Sequence, residues 1–173
     1  RMEATETQLL EIKRVEQSTK DLSRDYFQYR PDYKKYVLTI QVRYPAGKSD
    51  LKDMITTDKD AQLRQLAAAG CEIRDFLKNH NENQYILIIE GQASKDNFLY
   101  NYELSYQRAL GLMRFWIEDS NITFGNNCEI LISGSGDGKL DTHSMRETSN
   151  EKENQRFLIH ILPKNIFEHN ENK

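Results

Sequence analysis

Residues 101–116, NYELSYQRALGLMRFW, decide the reading of this chain. Ala109, Leu112, Met113 and Trp116 recur at helical spacing and make one apolar stripe, and Asn101 is a residue type that caps helices. At about 100° per residue, Arg108 falls at the flank of this stripe, beside Asn101 and Leu104, neither opposite the core nor inside it. The helix follows YILIIE (85–90), a continuous apolar run expected of a covered strand, which leads into GQAS (91–94). A guanidinium at the flank of a core helix, next to a strand end, points to a pocket; the bland alternative is an arginine paired with a carboxylate such as Asp137 or Glu90.

Outward from this unit the chain alternates strands and helices. YVLTIQVRY (36–44) places Tyr36, Leu38, Ile40, Val42 and Tyr44 at the two-residue period of a half-buried strand, closed by Pro45 and Gly47. Residues 57–79 carry Leu63, Leu66, Ala67, Gly70, Ile73 and Leu77 at helical spacing after a Thr57-Asp58 start. CEILIS (128–133) leads into SGSGDG, a polar loop follows from 138 to about 153, and QRFLIHIL gives a last strand stopped at Pro163. Crossovers of this length predict right-handed βαβ units with parallel neighbouring strands and both helices on one face. Before them, residues 6–26 place Ile12, Val15, Thr19, Leu22 and Tyr26 along a narrow helical seam. It pairs with a second helix or lies on its own domain.

Composition bounds the function. The 173 residues carry a net charge of −3, with 38% hydrophobic and 29% charged residues, and the mean hydropathy is −0.79. That suits one domain with an appendage. No stretch approaches the roughly 20 apolar residues of a membrane span, and no basic run marks a nucleic-acid surface. Cys71 and Cys128 have neither Cys-x-x-Cys spacing nor a neighbouring His cluster, so two buried free thiols are expected, with a disulfide as the alternative. The chain opens at Arg1 without an initiator Met, which raises the expectation of a signal peptide or membrane anchor upstream.

Catalytic motifs are weak. GSGDGK (134–139) lacks the first glycine and the final Ser/Thr of a phosphate loop, since Ser133 and Leu140 hold those places. DGKLD lacks the ligand alternation of a calcium loop. No Gly-x-Ser-x-Gly elbow precedes a helix, the four histidines are scattered, and His160 reads as a structural histidine. Neither an enzyme, nor a metal, nor a cofactor is implied.

Taken in order, YILIIEGQAS, NYELSYQRA, ILISGSGDG and NQRFLIHIL resemble the C-terminal domains of the OmpA/MotB family, with the helix motif closest to MotB-type stator proteins. YPAGKSDL also looks like that family's aromatic-x-x-Gly-Ser-like segment. The resemblance spans about residues 35–164 and implies an α+β fold, a β-α-β-α-β-β two-layer sandwich with helices on one face of a mixed sheet. An N-terminal helical linker (1–34) would precede it, able to dimerise or approach a membrane, and a tail (165–173) would follow.

The implied function is non-catalytic binding of peptidoglycan, through its diaminopimelate-type stem peptide, in the periplasm of a Gram-negative bacterium. There it would tether a protein anchored in the inner or outer membrane by a segment not present in this chain. Arg108 matches the family's carboxylate-binding arginine, Asn101, Leu104 and Ser105 the rest of the helix motif, and Asn154 with Arg156 the outer residues of Asn-Arg-Arg. Where the family has Gly-His-Thr-Asp, this chain has Gly91-Gln92-Ala93-Ser94, so Ser94 or Asp96 is left to face the ligand's amine. Gln155 replaces the first arginine of the closing motif. The alternative is an OmpA-like structural or dimerisation module of a stator-like membrane complex with a degenerate ligand site.

Overall fold

The computed structural model describes residues 2–164; the tail expected at 165–173 lies outside the described residues. Its elements are α1 (Met2–Ser18), β1 (Phe27–Arg30), β2 (Lys35–Leu38), α2 (Lys59–Asn79), β3 (Tyr85–Gly91), α3 (Asn101–Arg114), β4 (Cys128–Gly134) and β5 (Phe157–Pro163). They form an α+β fold on one five-stranded mixed sheet in the order β1-β2-β5-β3-β4.

β3 and β4 pair in parallel from Tyr85↔Cys128 to Gly91↔Gly134, as the crossover through α3 requires. β2 and β3 are not neighbours as the βαβ pattern predicts: β5 lies between them, antiparallel to both. The face of β3 bearing Tyr85, Leu87 and Ile89 shares one core with Leu66, Ile73 and Leu77 of α2, Leu112 of α3 and Trp116. Asp58 caps α2 by accepting from the Ala61 N–H at 3.0 Å, and Trp116 Nε1 donates to the Leu66 carbonyl at 2.7 Å.

Further expectations are corrected. The helix predicted over 6–26 stops at Ser18, where the Ser18 and Thr19 hydroxyls bond back to the carbonyls of Val15 and Glu16 at 2.6 and 2.8 Å. These local bonds compete with the helical ladder. The chain then forms β1, which pairs with β2 through a hairpin from Phe27↔Leu38 to Arg30↔Lys35, so the boundary drawn between 34 and 35 falls inside that hairpin. Val15, Thr19 and Leu22 are buried on the chain's own domain, with Tyr36 Oη bonded to the Thr19 carbonyl at 3.2 Å.

The strand predicted over 36–44 pairs only as far as Leu38. Ile40, Val42 and Tyr44 are buried as their alternation demands, but the backbone there finds other partners. The Gln41 carbonyl accepts from Gln62 Nε2 and the Arg43 carbonyl from the Ile55 N–H, both at 2.8 Å. Cys71 and Cys128 are free and half-buried rather than buried, and burial pushes the Cys128 thiol up to about 11.

The face of β3 opposite the helices holds a charged cluster. Glu90, 5% exposed, accepts from Lys35 Nζ at 3.1 Å and lies 2.7 Å from His160 Nε2. Burial pushes the Glu90 carboxyl up, but the hydrogen bond with His160 and the Lys35 charge outweigh it and hold it below the usual carboxylate range. Hydrogen bonds from Arg30 and Arg156 likewise hold Glu147 down. A carboxylate whose folded value is depressed stabilises the fold above its unfolded value and loses that contribution as pH falls. The urea midpoint should therefore be flat down to about pH 4.5, near the unfolded glutamate value, and fall below it; Glu90→Gln should flatten part of that acid limb. An unchanged acid limb in Glu90→Gln would remove the cluster from the account.

Candidate ligand site

Two glycines bring α3 hard against the sheet. Gly91 and Gly134 sit side by side at the ends of β3 and β4. A Cβ on Gly91 would lie 2.0 Å from the Ser105 carbonyl oxygen, and one on Gly134 2.6 Å from the Tyr106 nitrogen. Ser105 Oγ in turn accepts from the Gly136 N–H at 2.9 Å, so the SGSGDG turn is fastened to the helix. Gly136 takes φ +59°, with the Tyr102 ring where a Cβ would stand, a backbone region that favours glycine.

The loop after β3, the first turn of α3, the 44–48 turn and Gln155 enclose a pocket of about 120 Å3. Arg108 is 4% exposed. Its Nε donates to the Lys48 carbonyl at 2.9 Å, and its Cζ lies 4.3 Å from the Tyr44 ring centroid. That stack fixes the guanidinium plane. Among the described residues no acceptor bonds either Nη, and neither Asp137 nor Glu90 pairs with it. Burial lowers the Arg108 pKa, against the opposing pull of Tyr44 and Asp96.

Asp96 is the pocket's carboxylate. Its Oδ1 accepts from the Phe98 N–H and from Asn101 Nδ2, both at 2.9 Å. Asn101 does not cap α3 but is its first residue, 2% exposed, and also donates to Asp137 Oδ2 at 3.2 Å. Asn101 Oδ1 is buried without a partner among the described residues. Ser94 lines the same pocket and accepts from Gln155 Nε2 at 3.0 Å, while Leu104 forms an apolar wall. The arrangement offers an anion two free N–H edges and places a carboxylate nearby for a cationic group.

Asn154 and Arg156 do not line this pocket, which corrects their expected place. Asn154 is fully buried and clips the 138–153 loop by accepting from the Glu147 N–H at 2.8 Å and donating to its carbonyl at 3.0 Å. Arg156 donates to Gln92 Oε1 at 2.8 Å and to Glu147 Oε1 at 3.0 Å, and Glu147 also accepts from Arg30 at 2.9 Å. Gln92, the replacement for the family's histidine, thus ties β3 to the loop, its Nε2 donating to the Met145 carbonyl. Sequence reasoning missed Tyr44 and Gln155 as pocket residues. Gln155 was signalled only as a departure from the closing motif, and Tyr44 read as an ordinary core position.

No family model matches the chain, and no curated protein matches it. Among solved structures, a protein described as MotB-like from Desulfovibrio vulgaris is similar over 94% of this chain and 95% of that one, at 14% identity and a TM-score of 0.50. An outer membrane protein from Borrelia burgdorferi B31 matches 79% of this chain and 95% of its own, at 18% identity and a TM-score of 0.48. The periplasmic domain of Helicobacter pylori MotB matches 83% and 84%, at 15% identity and a TM-score of 0.48. The mixed sheet, its helices and the first of these likenesses agree: the chain has the α+β fold of the OmpA/MotB-type domains that its helix motif resembles.

Proposed function

We propose that this chain is a non-catalytic, periplasmic peptidoglycan-binding module that tethers a membrane protein or complex to the cell wall. The observation that carries the reading is Arg108: a guanidinium buried on an aromatic ring, oriented by one backbone bond, with neither Nη bonded among the described residues. In this reading Arg108 grips a stem-peptide carboxylate of the diaminopimelate type, and Asp96, held by Asn101, takes over the amine from the acid that Ser94 replaces. Leu104 packs on the ligand's aliphatic part. Asn154 and Arg156 act at one remove by holding the 138–153 loop. No helix of the described residues is long and apolar enough to cross a membrane.

A second reading, a structural module of a stator-like complex with a degenerate pocket, is favoured by one observation: Ser94 is already bonded to Gln155. Co-sedimentation with purified sacculi separates the two. The wall-binding reading expects the chain to pellet, soluble diaminopimelate-containing stem peptide to release it, and Asp96→Asn to weaken binding about three- to tenfold, the scale of one charge-assisted bond. A wild-type chain that stays in the supernatant at every sacculus concentration selects the second reading.

A further inference from the structure

β1 ends the sheet on one side, and the phase of its ladder tells what its open edge carries. The Thr39 N–H donates to the Tyr26 carbonyl at 2.9 Å, one step beyond the Phe27↔Leu38 pair. Hydrogen-bonded and non-bonded pairs alternate along an antiparallel ladder, so Gln28 and Arg30 turn their backbone groups to β2, and Phe27 and Tyr29 turn theirs outward. The Ser23 carbonyl takes up the Phe27 N–H at 3.0 Å. The Phe27 carbonyl and both backbone groups of Tyr29 bond nothing among the described residues, and neither a proline nor a bulge blunts the strand.

That edge opens on a groove of about 770 Å3 between the end of α1 and the β1–β2 hairpin. Its floor is aromatic, with Phe27 and Tyr36 buried, Tyr29 43% exposed, and the Tyr29 and Tyr36 rings 4.9 Å apart. Alternation sends the Gln28 side chain to the other face of the sheet, yet Gln28 also lines the groove, so the groove reaches the backbone edge itself. Lys13, Lys20 and Arg24 stand around it. All three are exposed, and none has an ion pair or hydrogen bond among the described residues. The rim's one acid, Glu16, faces Lys34 at 3.9 Å.

We propose that β1 is a docking edge for an extended, acidic segment of another protein, which joins the sheet as a further strand. With one of its residues opposite Tyr29, the segment exchanges two bonds with Tyr29 and donates a third to the Phe27 carbonyl. Its aliphatic side chains, at alternate positions, rest on Phe27, Tyr29 and Tyr36, and acids at its two ends meet Lys13, Lys20 and Arg24. Charge selects this occupant, because a second copy paired edge to edge would set the same three cations against these. The site shares no residue with the Arg108 pocket and stands or falls independently of wall binding.

Fluorescence anisotropy of the 173-residue chain with the labelled peptide Glu-Glu-Ile-Thr-Val-Thr-Glu-Glu tests it. A dissociation constant of about 10 to 100 μM is expected from three backbone bonds and two aliphatic side chains. Successive amides of an extended segment point to opposite sides, so N-methylation of one alternating set should weaken binding about thirtyfold or more, and methylation of the other set less than about threefold. Lys20→Glu combined with Arg24→Glu should weaken the peptide about tenfold and should bind its lysine-flanked counterpart more tightly than wild type does. Both positions are exposed, so circular dichroism should be unchanged. At saturating peptide the Tyr29 amide should exchange with deuterium about tenfold more slowly or slower still. No binding up to about 1 mM, equal losses from the two methylated peptides, or indifference to the charge reversal overturns the proposal. So does self-association of the chain that the peptide competes away, which would give the edge to a second copy.

Discussion

Replacing Gly91 by alanine is expected to lower the unfolding free energy by about 3 kcal/mol or more, at the upper end of what overpacking a tight core costs. The new Cβ would sit 2.0 Å from the Ser105 carbonyl oxygen and 2.9 Å from its carbon. Neither atom belongs to a side chain that can swing aside; both are backbone inside α3. To restore contact, α3 must retreat from the sheet by more than an ångström, which opens the contacts around Leu112 and Ala109, both fully buried. Interiors at crystal-like density do not absorb such a shift cheaply. Gly111→Ala is the matched control: its Cβ would meet only the Ser49 carbonyl, at 3.4 Å. Alanine in a helix interior gains about 0.5–1 kcal/mol over glycine. Urea melts at neutral pH should therefore separate the two glycines in sign. A loss below about 1 kcal/mol in Gly91→Ala would mean that the helix is not seated on the β3–β4 glycine pair, and with it the placement of Arg108 one turn further on would fail.

The parts of the fold that could be read in the sequence are those whose signal is local and long. α2 has a capping aspartate and about four turns of stripe, and β3, β4 and β5 are apolar runs bounded by turn residues, so each stands where the pattern puts it. β1 was hidden because FQYR is four residues long and adjoins a polar helix; its only signal is Phe27 and Tyr29 alternating just before Pro31. The insertion of β5 between β2 and β3 leaves no local trace, since periodicity tells which face a residue takes and not which strand lies beside it. Residues 39–44 show the converse: the alternation gave the right buried set, while the ladder itself went to side chains and loops.

The pocket was legible to the extent that its residues lie on two adjacent segments. Arg108, Asn101 and Leu104 share one face of α3, and Ser94 and Asp96 follow β3, so helix geometry and a short loop bring them together. The closing motif misled because its residues lie at the end of a 3-10 turn (Glu151–Asn154) and in the bend after it, where neighbours do not share one face. Gln155 lines the pocket, whereas Asn154 and Arg156 bond to Glu147 of the 138–153 loop. Tyr44 could not be found this way. Its role depends on a guanidinium that arrives from 64 positions further along the chain.

The second large effect separates binding from stability at one position. Arg108→Met should reduce sacculus binding about a hundredfold or more, the loss expected when a buried two-pronged carboxylate contact is removed. The same change should leave unfolding free energy unchanged or raise it. A guanidinium that is 4% exposed and makes, among the described residues, a single hydrogen bond, to the Lys48 carbonyl, has been taken out of water without a bonded carboxylate there to compensate it. Methionine fills a similar stem volume, packs on the Tyr44 ring, and leaves the carbonyl of exposed Lys48 to water. If Arg108 served the fold, its removal would instead destabilise the protein, as breaking a buried charge pair does by about 3–5 kcal/mol, and the pocket would be a packing defect. A carboxylate bound at the Nη groups gives them charge-assisted acceptors, so wild-type thermal stability should rise with added stem peptide while that of Arg108→Met should not. A peptide-induced rise of equal size in both proteins would place the ligand elsewhere, and a destabilised Arg108→Met would return Arg108 to the scaffold.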